Sequence, residues 1–277
     1  MGFRINTNVS SIAAQRSLST VNRQSQSTLA KMSSGTRITK AADDAAGLAI
    51  SEKLKAQVKS NAQANRNAND GISMVQTAEG GLDEISNMLT RLRELSVQSA
   101  SDTVGDTERG FTDMEYQNLK QEIERISQVT EFNGTKLLAG QGDKLDFQIG
   151  ANNDQFQDRI SYDVANTNAS IASLGVNEIS VANKEGAQTA LNTIDSAIEK
   201  VSGQRASLGA IQNRLISTSN NLQITNENLS AANSRIRDVD YAEVAASNAR
   251  NNILGQAGTS VLAQANSQGQ NALRLIG

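Results

Sequence analysis

Few side chains in this sequence could do chemistry, because the chain contains no histidine and no cysteine. Without them there are no disulfides, thiolate metal sites or cysteine nucleophiles, and the usual general base is missing. The remaining candidate is the carboxylate pair Asp43 and Asp44. Adjacent residues point in different directions on a helix, and no third ligand accompanies them. The sequence therefore predicts no catalytic, metal or cofactor site, and a protein that is not an enzyme.

Two further sequence features, possible glycosylation sequons and a basic N-terminal segment, do not predict a function. Asn-x-Ser/Thr sequons begin at Asn8, Asn133, Asn168 and Asn228, which chance explains in a chain so rich in Asn and Ser. Residues 1–60 hold nine Lys or Arg against three Asp or Glu, within a chain of net charge −3. These basic residues are scattered, with no aromatic residues between them, so nucleic-acid binding is not predicted.

No apolar run has the length of a membrane span or of a signal-peptide core. The sequence therefore predicts no membrane partner, and a secreted destination would require another export route.

An apolar heptad row indicates a very long helix. Its members are Ile194, Val201, Leu208, Leu215, Leu222, Leu229 and Ile236. At about 1.5 Å per residue a helix over this row would be roughly 64 Å long. The chain also lacks proline, where average usage of about 5% would give about 14. We therefore expect an elongated, mainly α fold, a coiled-coil or helical bundle of very long helices.

A second long helix, over about residues 46–98, offers the partner surface that the heptad row requires. Its apolar positions recur at alternating spacings of four and three, which is the pattern of a seam between helices. We call the facing apolar positions of the two helices the rod seam. Its predicted members are Met74, Ile85, Met88, Leu92, Val201, Leu208, Leu215, Leu222 and Leu229.

The segment between the two long helices changes its periodicity. Residues 100–110 are polar and predict a loop, and the spacing of Tyr116, Leu119, Ile123 and Ile126 then predicts a shorter helix. Between residues 132 and 175 apolar and polar residues alternate, on either side of a turn-rich stretch at residues 150–154. This alternation predicts a small β-hairpin region.

The first and last segments predict helices with narrow apolar stripes, over about residues 6–32 and beyond residue 240. Such helices are marginal in water by themselves, so the two should pair with each other. This makes the domains discontinuous. We expect two halves of an inner coiled-coil domain at residues 1–45 and 237–277, and a rod domain from residues 46–180 and 181–236.

Four stretches carry a family resemblance. They are RINTNVSSIAAQRSL at residues 4–18, SSGTRITKAADDAAGLAISEKL at 33–54, NDGISMVQTAEGGLDEI at 69–85 and AGTSVLAQAN at 257–266. Together they resemble bacterial flagellin in a short form that keeps only the conserved inner domains. The resemblance implies a structural subunit that polymerises into the filament of the bacterial flagellum for swimming motility. The subunit-packing positions would lie on the terminal stripes, at Ile5, Val9, Ile12, Val21, Leu29, Val244, Leu254, Val261 and Leu262.

The resemblance also implies partners and a location. The protein would be secreted through the flagellar type III export channel, with an export chaperone on the C-terminal helix, and would be extracellular. Its partners would be copies of itself, other flagellins, and the filament cap and hook-junction proteins. The stretch TRLRELSVQ at residues 90–98 resembles the segment that the innate-immune receptor TLR5 recognises. The matching positions are Arg91 and Leu95, with Glu115 on the following helix.

Two other functions remain open at this point. The hook–filament junction protein shares the terminal architecture, and a soluble coiled-coil binding protein would need complete seams of its own.

Overall fold

The computed structural model describes residues 7–274, with side chains described as far as residue 267. The chain divides into two compact units. We call residues 1–56 with 228–277 the terminal unit, and residues 57–227 the central unit. The predicted packing residue Ile5 lies outside the described residues.

Long helices dominate the described residues and confirm the expected mainly α fold with a small hairpin region. The helices are α1 (Val9–Ser34), α2 (Ala45–Ser99), α3 (Asp106–Val129), α4 (Ile171–Leu174), α5 (Lys184–Arg237) and α6 (Tyr241–Arg274), with a 3₁₀ turn at Val164–Thr167. The strands are β1 (Glu131–Phe132), β2 (Thr135–Lys136), β3 (Lys144–Gln148) and β4 (Arg159–Asp163). Among helices in the described part of the chain, none combines the length and apolarity needed to span a bilayer.

In the terminal unit, α1 and α6 lie side by side and antiparallel. Near one end, Asn8 Nδ2 donates to the carbonyl of Ala265 at 2.8 Å. Near the other end, Asn251 Nδ2 donates to Thr28 Oγ1 at 3.3 Å, and both residues are buried. The two narrow stripes therefore face each other through a seam that is partly polar.

The segments that follow α1 and precede α6 are joined by backbone hydrogen bonds. Helix α1 is capped at its C-terminal end by Gly35, which adopts a left-handed φ of 66° that glycine tolerates without steric cost. Beyond it, Thr36 pairs with Asp238 in an antiparallel bridge. The Arg37 amide donates to Arg237 O at 2.6 Å, and the Val239 amide to Gly35 O at 3.2 Å.

In the central unit, α2 and α5 run antiparallel. Ser219 Oγ donates to Asn65 Oδ1 at 2.6 Å, and Arg93 Nε donates to Asp195 Oδ1 at 2.6 Å. Helix α3 folds back along α2, because Arg109 Nε donates to the carbonyl of Ser99 at 2.9 Å and, further along both helices, Arg91 Nε donates to Glu115 Oε1 at 3.0 Å. The expected loop at 100–110 is shorter than predicted. Helix α3 already begins at Asp106, where acidic residues in its first turn favour a helix N-terminus.

Two small antiparallel hairpins complete the central unit. Strand β1 pairs with β2, and β3 pairs with β4 in a register that places Phe147 opposite Ile160. The second hairpin lies against α2, where Asn67 Nδ2 donates to the carbonyl of Gln148 at 3.0 Å. Tyr162 is buried there, and its hydroxyl is 2.7 Å from Thr167 Oγ1. These contacts continue the aliphatic core of the helices into the β region.

Candidate functional site

The only adjacent carboxylate pair singled out from the sequence is engaged with backbone amides. Asp43 Oδ2 accepts hydrogen bonds from the amides of Thr39 and Lys40 at 3.0 and 3.1 Å. A bond from the Thr39 hydroxyl and these two amides hold the pKa of Asp43 below its usual range. Asp44 Oδ1 accepts from the Gly47 amide at 2.8 Å and so caps α2. Both carboxylates therefore shape the connection between α1 and α2.

Clusters that could hold a metal are absent from the part of the chain that the structure describes: no group of three or more Asp or Glu residues converges there. Two exposed surfaces of the described residues are the candidate functional sites.

The first surface is the outer side of the α1 and α6 pair. Most of the predicted packing residues are exposed on it, with Val9 64% exposed and Val261 58% exposed. The exposed members of the predicted set are Val9, Ile12, Leu29, Leu254 and Val261. Each helix of a pair covers one stripe of its partner only, so the flanking apolar positions stay in contact with water. The pair thus presents several exposed aliphatic side chains on two adjacent helices.

Other members of the predicted packing set are half-buried within the chain itself. Val21, Val244 and Leu262 are in this position. Leu262 shares a face of α6 with Gly258 and Ala265. A Cβ on Gly258 would lie 3.2 Å from Leu18 Cδ1 of α1, so this face packs against α1. Ile253 was not among the predicted packing residues, but it is 65% exposed on α6 and joins the outer surface.

The rod seam lies inside the single chain. Its buried members are Met74, Ile85, Leu92, Val201, Leu208, Leu215 and Leu222, while Met88 and Leu229 are half-buried. On α2 the centre of the buried face passes through Val75, Leu82 and Leu89, which are fully buried. The long helices therefore cover their apolar faces without a second chain, in contrast to the outer side of α1 and α6.

Core residues that the sequence did not single out come from the connecting segments. Leu137 and Leu138 follow the tight hairpin of β1 and β2, and Leu174 and Val176 flank a glycine turn. These segments are too short to show the periodicity of a helix or strand face. The sequence shows only two apolar residues close to turn residues, and this pattern also occurs in exposed loops.

A buried lysine fixes the segment before α5. Lys120 Nζ donates to the carbonyls of Asn177 and Ile179 at 2.7 and 3.0 Å, and burial lowers the pKa of its ammonium group. Asp113 on the same helix accepts from the Val181 amide at 2.8 Å. These polar contacts are structural, because both side chains bind backbone groups of their own chain.

The second surface is a charged cluster on α2 and α3. Arg91 Nε donates to Glu115 Oε1 at 3.0 Å, and Arg91 Nη1 donates to Glu94 Oε2 at 2.8 Å. These two carboxylates raise the pKa of the Arg91 guanidinium, which is solvent-exposed. Leu95 is only 2% exposed beneath the cluster. Arg91 and Glu115 are therefore available to a partner, whereas Leu95 supports the helix from inside the core.

Comparisons with known proteins match both ends of the chain to one family. Residues 5–143 match the bacterial flagellin N-terminal helical region, and residues 191–276 match the bacterial flagellin C-terminal helical region. The chain is 44% identical to a flagellin of Halalkalibacterium halodurans over 98% of its length and 99% of that protein. It is 42% identical to the flagellar filament 33 kDa core protein of Treponema phagedenis, over 98% of its length and 99% of that protein.

A solved flagellin structure is also similar to part of this fold. The chain is similar to the crystal structure of Bacillus cereus flagellin with a TM-score of 0.50 and 31% identity, over 57% of this chain and 88% of that one. The sequence relatives extend the similarity to nearly the full length. They favour flagellin over a junction protein or an unrelated coiled-coil protein. The chain therefore belongs to the bacterial flagellin family, which is a family of structural proteins and not of enzymes.

Proposed function

We propose that the chain is the structural subunit of a bacterial flagellar filament, assembled from copies of itself or together with other flagellins. The observation that carries this proposal is the outer side of the α1 and α6 pair. Exposed aliphatic residues such as Val9, Ile12 and Val261 would be covered by neighbouring subunits, and hydrophobic burial would drive the assembly. Contacts between unlike surfaces that do not close into a ring generate an open helical polymer.

Seeded growth tests this function. Concentrated protein is mixed with short filament fragments, and the pellet after sedimentation is inspected by electron microscopy. We expect filaments that lengthen with protein concentration. Protein that stays in the supernatant at every concentration, with or without seeds, would refute the proposal.

The domain assignment made from the sequence is part of the same proposal. Residues 1–45 and 237–277 would form the inner coiled-coil domain, and residues 46–236 the rod. Support comes from the pairing of α1 with α6 and of α2 with α5. Terminal helices with such narrow stripes would gain much of their order when neighbours cover them. Proteolysis of monomer and filament tests this, because protection of both ends should rise sharply on assembly.

We further infer that the filament is extracellular and that the chain leaves the cell by the flagellar export route. The exposed apolar side of α6, with Ile253, Leu254 and Val261, would be the surface that an export chaperone covers before secretion. At the two ends of the filament the uncovered terminal helices would meet the cap and hook-junction proteins. A complex of the chain with its chaperone should lose affinity when Ile253 is replaced by Ser, and unchanged affinity would oppose this assignment.

Recognition by the receptor TLR5 is a separate proposal, supported by the charged cluster on α2 and α3. Arg91 can make several hydrogen bonds at once, a property of binding hot spots, and Glu115 lies beside it. Leu95 would act by holding the helix in place. Arg91→Ala should weaken binding of the monomer to the receptor ectodomain, while Arg66→Ala on the same helix should not. Equal binding by all three chains would exclude this surface.

A further inference from the structure

The loop between β3 and β4 has a conformation fixed by two carboxylates. Asp154 Oδ1 accepts hydrogen bonds from the amides of Phe156 and Gln157, both at 2.8 Å. These bonds hold the pKa of Asp154 below its usual range. Asp158 is only 7% exposed, and its Oδ2 accepts from the Asp154 amide at 3.0 Å. The loop is therefore a well-defined turn, stabilised by charge-assisted hydrogen bonds between these carboxylates and its own backbone amides.

This turn presents a phenylalanine to water. Phe156 is 91% exposed, although a ring of this size gains free energy when it is covered. The amide of Phe156 is bound by Asp154, so the ring stands on the ordered part of the turn. An aromatic side chain held out by a rigid turn is suited to insertion into a partner surface.

A second exposed apolar site lies on α3. Phe111 is 64% exposed and Met114 is 56% exposed, and their spacing of three places them side by side on the helix. Both follow the start of α3, where Arg109 contacts the end of α2 at Ser99. A flexible thioether beside an aromatic ring accommodates another aromatic ring well.

The two sites are far apart within the central unit. The β3 end at Gln148 contacts α2 at Asn67, whereas Glu115, next to Met114, contacts α2 at Arg91. The intervening part of α2 is roughly 36 Å long at about 1.5 Å per residue. Phe156 therefore cannot reach Phe111 and Met114 of its own chain.

We propose that Phe156 of one subunit docks on Phe111 and Met114 of the next copy of this chain. This inference rests on the proposed filament function, because an open homopolymer needs two different surfaces that meet head to tail. Two apolar sites at separate places along one unit satisfy that need. Successive copies joined by this contact would be displaced along α2 by about the separation of the sites, on the order of 40 Å.

The critical concentration for growth from wild-type seeds tests the contact. Phe156→Ser should raise the critical concentration about tenfold or more, as expected for loss of one buried ring. Val129→Ser is the matched control, because Val129 is 59% exposed at the far end of α3. It should grow like wild type. Equal critical concentrations for Phe156→Ser and wild type would overturn the inference but leave the filament function intact.

Cross-linking then identifies the partner site. The chain has no cysteine, so an engineered pair is unambiguous. Filaments of Phe156→Cys with Met114→Cys, grown above their raised critical concentration, should give a ladder of covalent multimers after oxidation, and Phe156→Cys with Val129→Cys should not. Multimers from both pairs, or from the control pair alone, would place Phe156 elsewhere on the neighbour and overturn the proposed contact. Wild-type chain that fails to grow from seeds would instead reject the filament function itself.

Discussion

Gly81 of α2 lies directly beneath Leu138. A Cβ on Gly81 would be 2.7 Å from Leu138 Cδ1 and 2.8 Å from Thr130 Oγ1, closer than van der Waals contact permits. Leu138 is fully buried, so protein atoms surround its side chain. The absence of a side chain at residue 81 is therefore what allows the segment after β2 to close onto the long helix.

Gly81→Ala should destabilise the monomer by up to about 2 kcal/mol, which is the cost of overpacking less the gain in helix propensity. Overpacking a tight site costs roughly 1 to 3 kcal/mol, which exceeds the gain of about 1 kcal/mol in helix propensity. Gly80→Ala is the control, because nothing lies within 4 Å of a Cβ there. It should stabilise the monomer by about 0.5 to 1 kcal/mol. Denaturant unfolding measures both, and shifts of the same sign would mean that Leu138 does not pack on residue 81.

Leu215→Ala should destabilise the monomer by roughly 2 to 5 kcal/mol. Leu215 is fully buried, and its Cδ1 would lie 3.3 Å from a Cβ on Gly71 of α2. The neighbouring Ile216 is 40% exposed, so Ile216→Ala should change stability much less. Thermal melting of the two variants compares them. A similar melting temperature for both would show that the seam is not packed as described.

Val261→Asp should block filament growth with little change in monomer stability. Val261 is 58% exposed in the single chain, but in the filament its charge would be buried without a partner. Leu262 is less suitable for this test, because it is half-buried against α1 and its replacement would also disturb the chain itself. Val261→Leu keeps the surface apolar and should grow. Electron microscopy after seeding shows whether filaments form. Normal filaments from Val261→Asp would show that this surface of α6 is not part of the subunit interface.

Alkaline pH should weaken the central unit. Burial raises the pKa of Tyr116 from its usual value of about 10 to about 12, so the folded state resists loss of this proton. The unfolded chain releases it first, and stability should fall as the pH rises from about 10 towards 12. The loss at this one site should reach about 2 kcal/mol. Unfolding curves of Tyr116→Phe should lack this part of the pH dependence, and an identical dependence would exclude Tyr116 as its source.

The helical part of the fold could be predicted from the sequence because its signals are long and repeated. The heptad row from Ile194 to Ile236 and the absence of proline both predict α5, and the structure confirms a helix at Lys184–Arg237. The hairpin of β3 and β4 was visible in the alternation around Phe147 and Tyr162, and the structure confirms that it is antiparallel. Where every seventh or every second residue is buried, apolar residues recur in the sequence at the same spacing.

The rest could not be predicted, for a physical reason that Leu138 and Phe156 illustrate. Neither belongs to a repeating face, and each depends on a turn whose geometry is set by a few hydrogen bonds. Leu138 turns inward and is fully buried, whereas Phe156 turns outward and is 91% exposed. A single apolar residue in a loop carries no local sign of its direction. The sequence also does not show which of two neighbouring apolar residues on α6 faces α1. In the structure Leu262 lies against α1, whereas Val261 is exposed.

The hydrogen-bonded crossing of the two connecting segments has a mechanical consequence for the terminal unit. The Val239 amide is bound to Gly35 O, and the Arg37 guanidinium holds the carbonyl of Ile236 at 2.8 Å. Helices α1 and α6 are thus tied together where they enter and leave the pair, as well as along their length. Torque applied to one of the two helices would be transmitted to the other through these hydrogen bonds. The two helices would therefore rotate together as one rigid element.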